Sequence, residues 1–305
     1  MTSQRTVAVC ALLFSIAGVA RPIQVALEAP ASVSRFDQAE FVLRVERGSF
    51  TNPFTEAELT GEFKPSNGAA IRVLGFADST DGTVFRLRFS PQLAGATYTY
   101  KLRFQGQGTD QEFSGNLVSR PVSDRAGPVI VDPRNRKHFI HMGSGTGFHH
   151  LGYTAYHLLD PSNNDAQVDA TIDYCARMGF NKIRFLLTGY PKDFDNRGTG
   201  NLARGEAASL INYNSRPGQV NALPAWLGKP HAYDFSRFNV EYWRRVERAV
   251  TRMRERSIVA TCILTIEKQN LPLEYGSLTG DEFRLYRYAV ARLAAFDNVW
   301  WDLGN

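Results

Sequence analysis

The chain has 305 residues, of which 43% are hydrophobic and 21% charged, and its formal net charge is +5. That length admits two domains, and the composition is that of a globular protein. The positive excess is spread among acids rather than gathered into a stripe, which argues against a nucleic-acid partner.

In chain order, the first segment reads as an export leader. Arg5 precedes the apolar run Val7 to Ala20, and Gly18-Val19-Ala20 offers small residues for cleavage. The run is short for a bilayer span, so residues 1–20 are expected to be a signal peptide. A secreted or periplasmic protein is then expected, with no membrane attachment after cleavage. No other segment is long and apolar enough to cross a membrane. Beyond the leader, Cys175 and Cys262 lie in apolar element interiors, where buried free thiols are expected rather than a disulfide.

From about Val25 to Ser119 the period is two. Tyr98, Tyr100, Leu102 and Phe104 alternate with Thr99, Lys101 and Arg103, the pattern of a strand with one buried and one wet face. Phe41 to Val45, Ile71 to Phe76 and Val84 to Phe89 read as further strands. They are punctuated by Pro65-Ser66-Asn67-Gly68, by Asp78 to Gly82 and by Pro91 to Gly95. Short strands at this spacing predict an antiparallel β-sandwich over residues 22–122.

Val118 to Gly147 is a connector, and after it the period changes. Phe148 to Ala155 reads as a strand. A helix is predicted from about Asp165 to Met178, capped by Asn164 and Gln167, with Val168, Ile172, Cys175 and Ala176 on one face and Gly179 ending it. Lys182 to Leu187 is the next strand. A long excursion from Thr188 to Arg237 carries isolated aromatics, among them Tyr190 and Trp226, and its length suggests function or disorder. A second helix spans about Phe238 to Glu255, with Tyr242, Val246, Val250 and Met253 inward and a run of arginines from Arg244 to Arg256 read as its solvated face. Val259 to Ile266 is a strand. Thr279 and Glu282 cap a third helix with Phe283, Tyr286, Val290 and Leu293 inward, and Val299 to Leu303 is the last strand.

Strand and helix thus alternate, which predicts parallel pairing through right-handed crossovers. Gly143 to Gly147 precedes the strand instead of joining strand to helix, so a dinucleotide-binding reading is poor. The first half of a (β/α)₈ barrel, about four β/α units over residues 123–305, fits better.

The residues also resemble a family. Phe148-His149-His150-Leu151-Gly152-Tyr153-Thr154-Ala155-Tyr156-His157-Leu158-Leu159 resembles the first barrel strand of bacterial proteins that join a DUF5060 β-sandwich to a DUF4038, apiosidase-like glycoside hydrolase barrel. Met178-Gly179-Phe180-Asn181-Lys182-Ile183-Arg184-Phe185 resembles their second strand, and Val299-Trp300-Trp301-Asp302-Leu303-Gly304-Asn305 their fourth. The resemblance implies hydrolysis of O-glycosyl bonds by two carboxylates: an acid/base immediately after an Asn at the tip of strand four, and a nucleophile at the tip of strand seven. It makes Asn305 that Asn, so the acid/base is expected at the position following Asn305 and the nucleophile further on. Neither lies in these 305 residues, and the chain by itself is expected to be an inactive fragment. Its open half barrel is expected to promote self-association.

By the same resemblance Arg184 supports the nucleophile through charge-assisted hydrogen bonds, and Asn305 contacts the sugar hydroxyl beside the reacting carbon. The bland alternative for Arg184 is a pairing with a neighbouring acid on the barrel rim. Glu267, just past the third strand, is a candidate for sugar hydroxyls or for a pair with Lys268. Asp302 is expected to make a structural polar contact. His150 or His149, with Tyr156, are candidates to line a sugar cleft. Trp226, Tyr190 and Trp301 are candidates to stack on sugar rings. The histidines between His138 and His157 have no acid or thiol partner at a zinc spacing, so no metal is expected, and no cofactor. Two functions compete: a secreted glycoside hydrolase acting on a polysaccharide or oligosaccharide, and a non-catalytic carbohydrate-binding or surface-interaction protein.

Overall fold

A computed structural model describes residues 23–121, 125–159, 163–188, 225–229, 232–264 and 280–304. The leader, most of the long excursion with Tyr190, and both Glu267 and Asn305 lie outside the described residues. No described helix is long and apolar enough to cross a membrane.

The first part is strand-rich. It comprises β1 (Val25–Glu28), β2 (Ser32–Ser34), β3 (Ala39–Val45), the one-turn helix α1 (Pro53–Glu56), β4 (Ala57–Pro65), β5 (Ile71–Ala77), β6 (Val84–Phe89), β7 (Thr97–Gly106) and β8 (Thr109–Arg120). Alternation along β7 is as the residues predict, with Tyr98, Tyr100, Leu102 and Phe104 buried and Thr97, Thr99, Lys101 and Arg103 exposed. The eight strands form one sheet in the order β1-β3-β6-β5-β4-β7-β8-β2. Along β5 the pairing changes: residues 71–74 pair with β4, whereas Gly75, Phe76 and Ala77 pair with β6. Gly75 sits at that change of partner, where a Cβ would lie 2.5 Å from Leu59 Cγ and 2.8 Å from the Arg86 carbonyl oxygen. Only glycine lets β4 and β6 approach so closely here. Between them lies an aromatic core in which Phe63 stacks on Phe89 at 4.1 Å and Phe41 meets Tyr100 edge-on at 4.9 Å.

A small antiparallel sheet follows: β9 (Val129–Val131), β10 (Phe139–His141) and β11 (Gly147–Phe148). This corrects the expected strand over Phe148 to Ala155. Phe148 belongs to the antiparallel sheet, and the first parallel strand is only β12 (Gly152–Thr154). Asn181 holds the break open. Its side chain accepts the Leu151 amide at 2.8 Å and donates to the His149 carbonyl at 2.9 Å, which diverts the chain between the two sheets.

The second part contains α2 (Asp165–Arg177), β13 (Lys182–Leu186), a two-stranded ribbon of β14 (Trp226–Lys229) and β15 (Ala232–Phe238), α3 (Val240–Glu255), β16 (Val259–Ile263), α4 (Gly280–Leu293) and β17 (Val299–Asp302). The strands β12, β13, β16 and β17 pair in chain order, all parallel. Such pairing requires crossover connections, which α2, α3 and α4 supply. The capping box of α2 forms as its residues predict, with the Asn164 side chain on the Gln167 amide and the Gln167 side chain on the Asn164 amide, each at 2.9 Å.

Two expectations about the helices change. Four of the arginines in and after α3 form a ladder onto α2, so this side is more than a solvated face, while Arg244 turns to Asp78 and Glu241. Arg245 bonds Asp165 at 2.9 Å, Arg248 bonds Asp169 at 2.7 Å, and Asp173 takes both Arg252 and Arg256 at 2.8 Å. The acids recur every four residues on α2, one face of a helix, so two adjacent parallel helices zip in constant register. In α4, Phe283 and Val290 are exposed, and the buried residues are Leu285, Tyr288, Ala289, Ala291, Arg292 and Leu293. The expected inward face is rotated because α4 packs on the strand-rich part as well as on the parallel sheet. Tyr288 stacks on Phe238 at 4.0 Å and donates to the Ala77 carbonyl at 2.9 Å.

A buried ionic network joins the two parts. Arg292, fully buried, reaches Glu247 on α3 at 2.6 Å and Asp78, just past β5, at 2.9 Å. Arg88 on β6 reaches the same Glu247 at 2.6 Å and Glu40 on β3 at 2.8 Å. Arg86 also pairs with Asp78, at 2.6 Å, and Arg244 of α3 approaches it at 3.3 Å. Burial opposes ionisation of Asp78, but Arg292, Arg86 and Arg244 outweigh it and hold its carboxyl below the ordinary range. The Tyr288 hydroxyl beside this network is pushed up to about 12, chiefly by burial.

Candidate active site at the ends of the parallel strands

Neighbouring residues in a parallel sheet share a face when in register, and successive residues alternate. Two rows of the register therefore define one face: Thr154, Arg184, Thr261 and Trp300, then Leu186, Ile263 and Asp302 nearer the C-terminal ends. The opposite face carries Tyr153, Ile183, Phe185, Ala260, Cys262, Val299 and Trp301, which pack with the helices in the larger hydrophobic core.

At the C-terminal side of the first face, Arg184 joins three strands. Its Nε donates to Asp302 Oδ2 at 2.5 Å, and its Nη1 donates to the Tyr156 hydroxyl at 3.1 Å. Tyr156 follows β12 by two residues, and its ring packs on Leu186 and Ile263. Asp302 lies two strands from Arg184, a flat span of about 10 Å. The reach of Arg184 across β16 therefore ties the two strands together over the interior of a curled sheet. Asp302 Oδ1 also accepts the Gly304 amide at 3.3 Å, which steadies the end of β17. Burial by itself would lower the Arg184 pKa, but the bonds to Asp302 and Tyr156 hold it above the ordinary value. The guanidinium is a permanent cation, positioned where strand ends meet.

At the opposite, N-terminal side the same face is closed. The Trp300 ring lies 5.6 Å from Phe139 and 5.8 Å from Phe148, and Lys182 Nζ is 5.8 Å from the Trp300 centroid. The small antiparallel sheet thus plugs one end of the curled sheet, opposite the Arg184 cluster.

Of the residues singled out by sequence, Arg184 and Tyr156 come together. The partner of Arg184 is Asp302, so both the rim pairing considered for the arginine and the polar contact expected of Asp302 are present. His150 does not join them. It precedes β12 and is exposed at the plugged end, 6.2 Å from the Phe139 ring. Trp301 faces the helices, not the Arg184 side, because it is one residue out of phase with Asp302. Trp226 is buried between Phe235 and Phe238, a core residue with no ring face open to a sugar. Sequence reasoning missed Trp300 and Lys182 as the floor of this face. The alternation of Val299-Trp300-Trp301-Asp302 was the signal that could have found Trp300. Among the described residues, no group of three or more His, Cys, Asp or Glu side chains converges as a metal site would require.

The four parallel strands thus form a partly curled sheet that carries charged side chains at its C-terminal ends. The sequence model for the apiosidase-like catalytic domain matches residues 134–305, and that for the DUF5060 domain of unknown function matches residues 32–105. The chain belongs to the apiosidase-like catalytic domain family. Among solved structures, it is similar to a candidate glycoside hydrolase of Bacteroides vulgatus, at 23% identity over 90% of this chain and with a TM-score of 0.66. The chain spans 50% of the length of that protein. A β-glucuronidase of Parabacteroides merdae is more distantly similar, at 11% identity over 93% of this chain and 29% of its own, with a TM-score of 0.31. No curated protein sequence matches.

Proposed function

We propose that the chain is part of a secreted or periplasmic glycoside hydrolase that cleaves O-glycosyl bonds of a polysaccharide or oligosaccharide by a two-carboxylate mechanism. In this reading residues 1–20 are an export signal. Residues 22–122 form a β-sandwich made by folding one sheet over at β5. Residues 123–305 are the first four β/α units of a (β/α)₈ barrel. The observation that carries the reading is the Arg184–Asp302–Tyr156 cluster at the C-terminal strand ends of an apiosidase-like chain.

The chemistry needs one carboxylic acid to protonate the leaving oxygen and a second carboxylate to attack the anomeric carbon or to activate water, about 5–5.5 Å apart where the outcome is retention. The resemblance gives neither role to Asp302, whose carboxylate accepts from Arg184. We assign it to holding the guanidinium, so that Arg184 can offer charge-assisted hydrogen bonds to the nucleophile. Tyr156 lines the same mouth. The acid/base is assigned to the position after Asn305 and the nucleophile to a later strand, with Asn305 and Glu267 binding sugar hydroxyls.

The test is to sequence the gene downstream of codon 305, express the whole reading frame beside residues 1–305, and assay reducing-sugar release from a panel of plant and microbial polysaccharides. Release by the longer product, none by residues 1–305, and loss of release in Arg184→Ala are expected. A stop codon at position 306, or a longer product inert on every polysaccharide, would overturn the reading.

A further inference from the structure

A groove of about 600 Å³ opens where α4 crosses the strand-rich part, between α1, β4 and β5. It lies on the helix side of the parallel sheet, away from the face that carries Arg184. Its size falls within the ~300–1,000 Å³ of ordinary small-ligand sites. Three features restrict what it would hold. Its walls are aromatic: Phe54 and Tyr288 contact edge-on at 5.8 Å, while Phe283 stands 55% exposed. Its lining charges balance, Glu56 and Glu58 against Arg284 and Arg287, with Arg287 paired to Glu58 and Arg284 to Asp281, so donors and acceptors are offered together. Phe283 lies on the outward side of α4 with Val290, opposite the buried Leu285, Tyr288 and Arg292, so its ring is exposed at the groove.

We propose that this groove is a non-catalytic binding site for a neutral oligosaccharide chain. Sugar rings present apolar C–H faces and a girdle of hydroxyls that both donate and accept. Phe283 offers a ring face for stacking, and the Arg287–Glu58 pair offers a planar donor beside a planar acceptor. A phosphate or polyanion would leave Glu58 and Glu56 facing negative charge. A purely apolar ligand would bury the two ion pairs without replacing their water. The site binds and does not cleave, since Glu58 is committed to Arg287. It is independent of the strand-end chemistry and would stand if that reading failed.

The test is native electrophoresis of residues 1–305 through gels containing mixed-linkage β-glucan, arabinoxylan, arabinogalactan or, as a polyanion, heparin. Retardation in at least one neutral gel is expected. Phe283→Ala should weaken it about fivefold, the usual worth of one aromatic contact, and Arg287→Ala comparably. Phe283 and Arg287 are exposed, so thermal unfolding of both variants should match the wild type. Arg44→Ala, at an exposed arginine of β3 outside the groove, should be retarded as the wild type is. No retardation in any neutral gel, retardation by heparin alone, or unchanged retardation of Phe283→Ala would overturn the proposal. Loss in Arg184→Ala with Phe283→Ala unaffected would move sugar binding to the strand ends and equally overturn it.

Discussion

Replacing Arg292 by methionine tests whether the buried charges hold the two parts of the chain together. Methionine keeps an unbranched stem over Phe76, where the Arg292 guanidinium carbon now lies 4.5 Å from the ring centroid, so packing is largely preserved and the charge is removed. Asp78 and Glu247 each lose a partner, at 2.9 and 2.6 Å. Breaking a buried ion pair by removing one partner costs about 3–5 kcal/mol. The lower end applies, because Arg86 and Arg244 remain on Asp78, and Arg88 remains on Glu247. A loss of about 3 kcal/mol should lower the unfolding temperature by roughly 4–6 °C in a chain of this size, read by calorimetry at pH 7. The acid limb supplies an independent readout. The Asp78 carboxyl is held below its ordinary 3.8 in the folded state, so its contribution is present above that pH and is lost as pH falls through the lower folded value. Removing Arg292 takes away the largest favourable charge on Asp78, so stability in Arg292→Met should fall less steeply as pH drops below 4. An unfolding temperature within 2 °C of the wild type, with an unchanged acid limb, would show that desolvation already cancels the network and would refute the reasoning.

Other substitutions probe separate features. Gly75→Ala places a methyl 2.5 Å from Leu59 Cγ at the point where β5 changes partner, and chemical denaturation should show a loss of about 2–3 kcal/mol. Asp173→Asn removes an acceptor shared by Arg252 and Arg256. These pairs are partly exposed, so about 1 kcal/mol is expected at low salt, and the loss should shrink in 1 M sodium chloride. The buried thiols should resist alkylation in the native protein. Burial pushes Cys175 up to about 11 and Cys262 higher still, so peptide mass spectrometry should find both labelled by iodoacetamide only after denaturant is added. Rapid native labelling of Cys262 would contradict its place between sheet and helices.

Local pattern carried much of this protein. The alternation of β7, the capping box of Asn164 and Gln167, and the apolar faces of α2 and α3 are properties of neighbours in sequence, where side-chain period and hydrogen-bond reach act over a few residues. The resemblance at Phe148 to Leu159 and at Val299 to Asn305 pointed to the family that the matched region then established. Arg184 and Tyr156 could be singled out because their residue types and positions at strand ends suggest chemistry. What failed was whatever depended on a partner distant in the chain. Phe148 was drawn into an antiparallel sheet by Phe139, and α4 turned its Tyr288 and Arg292 face toward β5 and β6. The arginines of α3 found aspartates about 80 residues earlier, and Trp301 and Trp226 were placed by packing against helices and ribbon. Burial of a charge or an aromatic depends on the whole surface it meets, and that surface exists only after the sheet and the helices have been brought together. The sequence alone determined the strands β3, β5, β6, β7, β13, β16 and β17, the helices α2 to α4, and the family they compose. Only the tertiary structure decided which faces met, and hence that Arg184 reaches Asp302 and Tyr156 while His150 lies at the plugged end.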